Sequence, residues 1–180
     1  MDRAVPQSFT SFDSLLRFFS DADEIVFQMF SKIDDQQIAC LCREARHLAD
    51  HVHMHFGTRE AADLAQVYKV EISRERLQPD GEPALLLAKC TLRPPKIELR
   101  AGAIEGLAEY GQSVAGKNEK RWFAESQIIE VVTAQELYHI IRQNSSSPAA
   151  KMGAHCFART FTGIPFSSLL YYTLLLQAQG

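Results

Sequence analysis

The sequence has few cysteines, little net charge and no long apolar run, and each of these absences excludes a class of protein. Its four cysteines are scattered at positions 40, 42, 90 and 156, which fits neither a disulfide framework nor a zinc knuckle. The most apolar run, residues 169–176, is too short to span a bilayer, and the N-terminus lacks the basic-then-apolar order of a secretory signal. With 19 basic and 22 acidic side chains, the charge balance favours neither nucleic acid nor a membrane surface. We therefore predict a cytoplasmic protein without a nucleic-acid or membrane partner.

Length and patterning predict one compact unit made of two parts. A chain of 180 residues, 46% of them hydrophobic, is long enough to bury a sizeable core. Apolar residues recur at helical spacing from about residue 13 to residue 55, so we expect residues 1–55 to form a helical N-terminal extension. Residues 56–180 mix helical with alternating patterns, which predicts an α+β domain.

The predicted α+β domain contains three short strands and a buried helix. Alternating or apolar stretches predict strands at residues 69–73, 84–90 and 96–100. Residues 126–142 are apolar almost all round, which is typical of a central buried helix. Further helices are expected at 104–110, 149–162 and 167–177, with an exposed polar loop at 111–120.

The central helix carries an incomplete zinc-peptidase motif, since residues 134–139 read AQELYH. In the motif His-Glu-x-x-His, two histidines four residues apart share one helix face and bind zinc, while the glutamate activates the metal-bound water. Gln135, Glu136 and His139 stand at these three positions, so the first histidine is replaced by glutamine. Glutamine offers only a neutral carbonyl oxygen, which is a poor zinc ligand beside imidazole.

Residues 56–158 resemble the ImmA/IrrE-type metallopeptidases, small intracellular peptidases best known for cleaving repressors and related regulators. The resemblance rests on residues 128–139, which look like the active helix of that family, and on Ala154-His155-Cys156-Phe157-Ala158, which is similar to its Ala-Asn-x-Phe-Ala stretch. Residues 56–65 and 96–99 look like the helix and the strand before it. The resemblance implies an α+β fold in which a small, mostly antiparallel sheet packs on a central zincin-type helix.

The same resemblance implies that a second metal ligand is missing. In that family a glutamate three residues before the alanine of the last stretch supplies the third ligand, and Lys151 stands there. An ammonium group repels a cation, so Gln135 and Lys151 are interpreted as vestigial site positions. Lys151 then stands in for the missing metal charge, and we expect its amine within about 8 Å of the Glu136 carboxylate.

Two functions remain open at this point. The first is a peptidase-like protein that has lost standard zinc catalysis, holds no cofactor and acts as a binding or regulatory module for a peptide or protein, with a peptide laid along the sheet edge. The alternative is an active metallohydrolase with an unusual zinc ligand set, in which Glu136 is catalytic and His139 and His155 bind the metal, with Cys156 as a further candidate ligand.

Two other features admit a structural and a functional interpretation. His47, His51 and His55 recur at a four-residue step and could share a metal, but a solvated or partly buried helix face is the favoured interpretation. The apolar C-terminal helix at 167–177 packs on its own domain or forms a homodimer interface.

Overall fold

The N-terminal part of the chain is helical, as its periodicity predicts. In a computed structural model, which describes residues 11–76, 86–144 and 147–178, helices α1 (Phe12–Phe19), α2 (Asp23–Phe30) and α3 (Asp35–Phe56) follow one another. Asp34 begins α3 by accepting a hydrogen bond from the Gln36 amide, and Gly57 ends it at a φ of 69°, a conformation that glycine adopts without strain. α3 packs along a later helix, α7 (Pro148–Thr162).

The sheet has three strands in the order β1, β3, β2, namely β1 (Glu71–Glu75), β2 (Ala88–Leu92) and β3 (Pro95–Arg100). β2 and β3 form an antiparallel hairpin, whereas β1 lies parallel to β3. The α+β class is confirmed, but the prediction of a mostly antiparallel sheet is wrong for one of the two strand pairs. Strands β2 and β3 are adjacent in the chain, so local sequence can predict their hairpin. The strands β1 and β3 are far apart in the sequence, so no local pattern predicts that they pair. The predicted strand at 84–90 is described only from residue 86 onward.

The central helix is α6 (Glu125–Arg142), in agreement with the prediction for residues 126–142. It contacts β2, β3 and four other helical elements, which explains its apolar surface. The remaining elements of the described residues are α4 (Ala61–Val67), α5 (Ala101–Val114), a 3₁₀ helix (Lys120–Phe123) and α8 (Leu169–Ala178).

One hydrophobic cluster joins the N-terminal helices to the rest of the chain. It runs from Leu15 and Phe19 in α1 to Leu174 and Leu175 in α8. Most apolar side chains of α8 are buried within their own chain, and Leu176 is exposed. Through the described ranges, every helix is too short or too polar to cross a membrane. The homodimer through α8 stays a prediction.

Candidate functional site

A cleft of about 610 Å³ lies between α6, α7, α8 and the edge strand β2. All five residues that the sequence singled out line this cleft: α6 contributes Gln135, Glu136 and His139, and α7 contributes Lys151 and His155. They meet because 135 and 139, like 151 and 155, are one helical turn apart and therefore lie on the same face of their helix. α6 and α7 are packed directly against each other, so the two faces border the same space.

Gln135 is buried and its side-chain amide is fully engaged in a hydrogen-bond network. Its Nε2 donates to Ser168 Oγ at 2.6 Å and lies 3.1 Å from His155 Nδ1. Its Oε1 accepts the hydroxyl of Tyr172 at 2.9 Å. Glutamine is therefore the centre of a satisfied polar cluster between α6, α7 and α8, and its carbonyl oxygen is already occupied.

His155 is held as a neutral ring with its proton on Nε2. Its Nδ1 lies 2.7 Å from Ser168 Oγ and next to the Gln135 amide nitrogen, which can only donate, so Nδ1 acts as the acceptor. Burial, followed by the charges of His139 and Lys151, lowers the pKa of His155 from its usual 6.5 to about 3. The hydrogen bonds therefore run in one direction: Tyr172 donates to Gln135, Gln135 donates to Ser168, and Ser168 donates to His155.

His139 is also fixed in orientation, by the turn that ends α6. Its ring is buried, and its Nδ1 lies 2.8 Å from the carbonyl oxygen of Asn144, to which it must donate. With a proton on Nδ1, the uncharged form of the ring has its lone pair on Nε2, which is how histidines bind metals when a carbonyl holds the other nitrogen.

Glu136 is partly buried between α6 and β2. Burial raises the pKa of its carboxyl group, while the charge of His139, hydrogen bonds from the thiol and backbone amide of Cys90, and the charge of Lys151 act in the opposite direction. Burial and the neighbouring carboxylate also raise the pKa of the Cys90 thiol, which keeps its proton and donates to Glu136. The carboxylate is thus satisfied by the strand beside it.

Lys151 is exposed at the mouth of the cleft. Its charge is close enough to lower the pKa of Glu136, in the direction expected if it replaces a metal charge. In the part of the chain that the structure describes, the two groups form no direct ion pair. The expected separation of about 8 Å stays a prediction.

The donor set fits a zinc ion poorly. A zinc site takes three or four imidazole, thiolate or carboxylate ligands at 2.0–2.3 Å. His155 Nδ1 and Gln135 Oε1 are already hydrogen bonded, and the cationic side chain of Lys151 lines the same cleft. Within residues 11–76, 86–144 and 147–178, no group of three or more His, Cys, Asp or Glu is arranged to hold a metal. Binding by Glu136, His139 and His155 would require the Gln135 network to rearrange.

Comparison with protein-family models, curated proteins and solved structures gives no significant match. The resemblance to ImmA/IrrE-type metallopeptidases therefore rests on the motif residues alone.

Sequence reasoning did not single out Cys90, Ser168 and Tyr172 as parts of this site. In the sequence Cys90 is one of four scattered cysteines, and its position beside Glu136 depends on how β2 packs on α6. Ser168 and Tyr172 belong to the segment 167–177, whose apolar pattern predicts packing or a dimer interface. Their four-residue spacing on an otherwise apolar segment was a signal that one polar face turns inward.

The histidine series on α3 lies away from the cleft and is exposed. The rings of His51 and His55 stack with centroids 5.6 Å apart, and His47 points to solvent one turn earlier. This arrangement agrees with the favoured interpretation of a solvated helix face.

Proposed function

We propose that this protein is a peptidase-like binding module whose cleft has lost standard zinc catalysis. The observation that carries the proposal is the state of Gln135, whose amide is hydrogen bonded on both sides by Ser168 and Tyr172. If a glutamine simply replaced a metal ligand without new partners, its buried amide would lack hydrogen bonds. Such an unsatisfied polar group lowers the stability of the folded protein by about 1–3 kcal/mol. Here the neighbouring side chains satisfy the glutamine, which supports a cleft adapted to work without the metal.

The edge of β2 supports an extended peptide as the ligand. The Arg100 amide donates to the Leu87 carbonyl at 2.9 Å, and hydrogen-bonded pairs alternate along an antiparallel ladder. Ala88, Cys90 and Leu92 therefore direct their backbone groups away from β3, along the side of β2 that borders the cleft. Among the described strands, none pairs with this edge. A peptide can add there as a further strand.

The test is the metal content of protein purified without a histidine tag. We expect well under one zinc per chain in the wild type, because two of the expected ligand positions hold a glutamine and a lysine. The double variant Gln135→His, Lys151→Glu restores the missing imidazole and carboxylate and should bind about one zinc per chain. The matched control is Gln135→Asn, Lys151→Glu, which changes the same positions without adding an imidazole and should remain largely metal-free.

Two results would contradict the proposal in different ways. About one zinc per chain in the wild type, lost in His139→Ala, would favour the active metallohydrolase with Glu136, His139 and His155. A folded Gln135→His, Lys151→Glu variant that takes up no zinc would mean that these positions are not former ligand positions.

A further inference from the structure

We propose that the cleft selects peptides that carry a carboxylate, which binds at Lys151 and His155 on α7. This inference rests on the proposed function, since it names the chemistry of the ligand for the same cleft. The source of the carboxylate is an acidic side chain or the C-terminus of the peptide, and the experiment below separates the two.

The charges around the cleft favour an anion. Its charged lining residues are Glu136, Lys89 and Lys151, in addition to two histidines. Glu136 accepts a hydrogen bond from the thiol of Cys90 and is partly buried, so its charge is held by the protein. Lys151 is exposed and forms no ion pair with any residue that the structure describes, so its charge is available to a ligand.

The positive charge of Lys151 does not stabilise the helix that carries it, and it is available to a ligand. It lies one turn after the N-cap Ser147 of α7, and a positive charge near the N-terminus of a helix opposes the helix dipole. The ammonium forms no ion pair with any residue that the structure describes, whereas Lys96 is paired with Glu98 at 3.1 Å. An anion bound at Lys151 would gain from both the ammonium and the dipole.

His155 adds a hydrogen-bond donor next to this charge. It follows Lys151 by four residues, so the two side chains lie on the same face of α7. Because its Nδ1 accepts within the Gln135 network, the neutral ring carries its proton on Nε2. A carboxylate has two oxygens and can accept from the ammonium and from this imidazole together.

The experiment measures binding of the full chain to an array of random N-acetylated octapeptides. Each peptide is made once with a free C-terminal carboxylate and once as the carboxamide. We expect the bound peptides either to share an Asp or Glu at a fixed position in both forms or to bind only as the free carboxylate. Methylating backbone amides of a bound peptide should abolish binding at alternate residues only, as strand addition to β2 requires.

Variants of two lysines test the assignment. Lys151→Glu should weaken binding of the selected peptides at least about tenfold and shift the preference to Lys or Arg, because the substitution turns an attraction for the carboxylate into a repulsion. Lys117→Glu makes the same charge change at an exposed residue outside the cleft and should bind as the wild type does.

The outcomes separate the two proposals. Selected peptides that are neutral or basic, bound equally by the wild type and Lys151→Glu, would overturn the carboxylate inference and leave peptide binding intact. If the folded protein binds no peptide in either form, the proposed function fails and the inference fails with it.

Discussion

At the scale of single residues, the cleft depends on the protonation of a few side chains that hold one another. Ser168, Tyr172 and His155 are all connected through the amide of Gln135. Because the amide can donate from one end and accept at the other, it imposes a direction on the network. A charged imidazole at position 155 would have to turn its Nδ1 proton toward a nitrogen that is itself a donor.

This conflict makes the stability of the protein depend on pH through His155. Its pKa is about 3 in the folded chain, whereas an exposed histidine titrates near 6.5. Between these values the unfolded chain binds a proton that the folded chain does not, so the free energy of unfolding falls as the pH falls. Protonation of His155 lowers the free energy of unfolding by at most about 1.4 kcal/mol for each pH unit, and this effect is absent above about pH 6.5.

The prediction is checked by urea unfolding of the wild type and His155→Gln at about pH 7.5, 6 and 5. The glutamine oxygen can still accept from Ser168 but does not titrate, so the variant should lose stability less steeply toward low pH. Raised carboxyl pKa values, such as that of Glu130, are common to both proteins and cancel in the difference. Equal pH dependence in the two proteins would show that folding does not lower the pKa of His155.

The residues that bear the motif could be found from the sequence, because their types and spacing have a chemical meaning. Gln135, Glu136 and His139 are adjacent on one helix, and Lys151 and His155 follow by comparison with a known stretch. The partners of these residues could not be found in this way. Cys90 reaches Glu136 only through the packing of β2 on α6, and no local pattern encodes that contact.

At the scale of elements, the close approach of α6 and α7 shapes the cleft. It occurs where Gly153 of α7 faces Tyr138 of α6, and a Cβ at position 153 would overlap the tyrosine hydroxyl and lie 2.6 Å from its Cζ. The glycine thus allows the two helices to lie closer together than side chains would permit.

Gly153→Ala is expected to destabilise the protein by about 1–3 kcal/mol, because overpacking exceeds the gain in helix propensity of up to about 1 kcal/mol. The matched control is Gly106→Ala in α5, where a Cβ meets no atom within 4 Å. That variant should be more stable than the wild type by about 0.5–1 kcal/mol. Urea unfolding of both checks the prediction, and a Gly153→Ala variant as stable as Gly106→Ala would contradict it.

Helices were easier to predict than the sheet and the loops. The span of α6 follows from its apolar periodicity, whereas the parallel pairing of β1 with β3 involves residues far apart in sequence. The predicted helix at 104–110 is longer, since α5 covers Ala101–Val114. The predicted polar loop therefore begins later than expected, because Gly111 continues the helix and packs against Phe123.

At the scale of the whole molecule, Arg159 of α7 ties the N-terminal helices to the C-terminal part. Its guanidinium donates to the carbonyls of Ser20 and Asp21 after α1, and to the carbonyl of Pro165 before α8, at 2.6–3.0 Å. It also pairs at 3.3 Å with Asp23, a buried carboxylate whose pKa is raised by its burial. One side chain thus satisfies groups from three segments of the chain.

Arg159→Met keeps most of the side-chain volume and removes these contacts, leaving three carbonyls without this donor and Asp23 with the more distant Arg46 at 4.0 Å. We expect a loss of about 3 kcal/mol, which is typical of breaking a buried ion pair by removing one partner. Arg43→Met, at an exposed position of α3, serves as the control and should change stability by no more than about 0.5 kcal/mol.

Unfolding of both arginine variants is followed by circular dichroism and by Trp122 fluorescence. A single transition by both probes would agree with the continuous hydrophobic cluster, which joins residues 12–56 to the rest. If Arg159→Met unfolded at the same urea concentration as Arg43→Met, Arg159 would contribute little to holding the N-terminal helices in place.

The open edge of β2 has a consequence for aggregation. An edge that accepts a peptide can also pair with the same edge of another copy, which is a common route to insoluble protein. The Glu136 side chain engages the amide of Cys90, in the middle of this edge, so a strand from another copy must displace it before pairing there. We therefore expect Glu136 to limit pairing between copies, as inward-pointing charged residues do at other sheet edges.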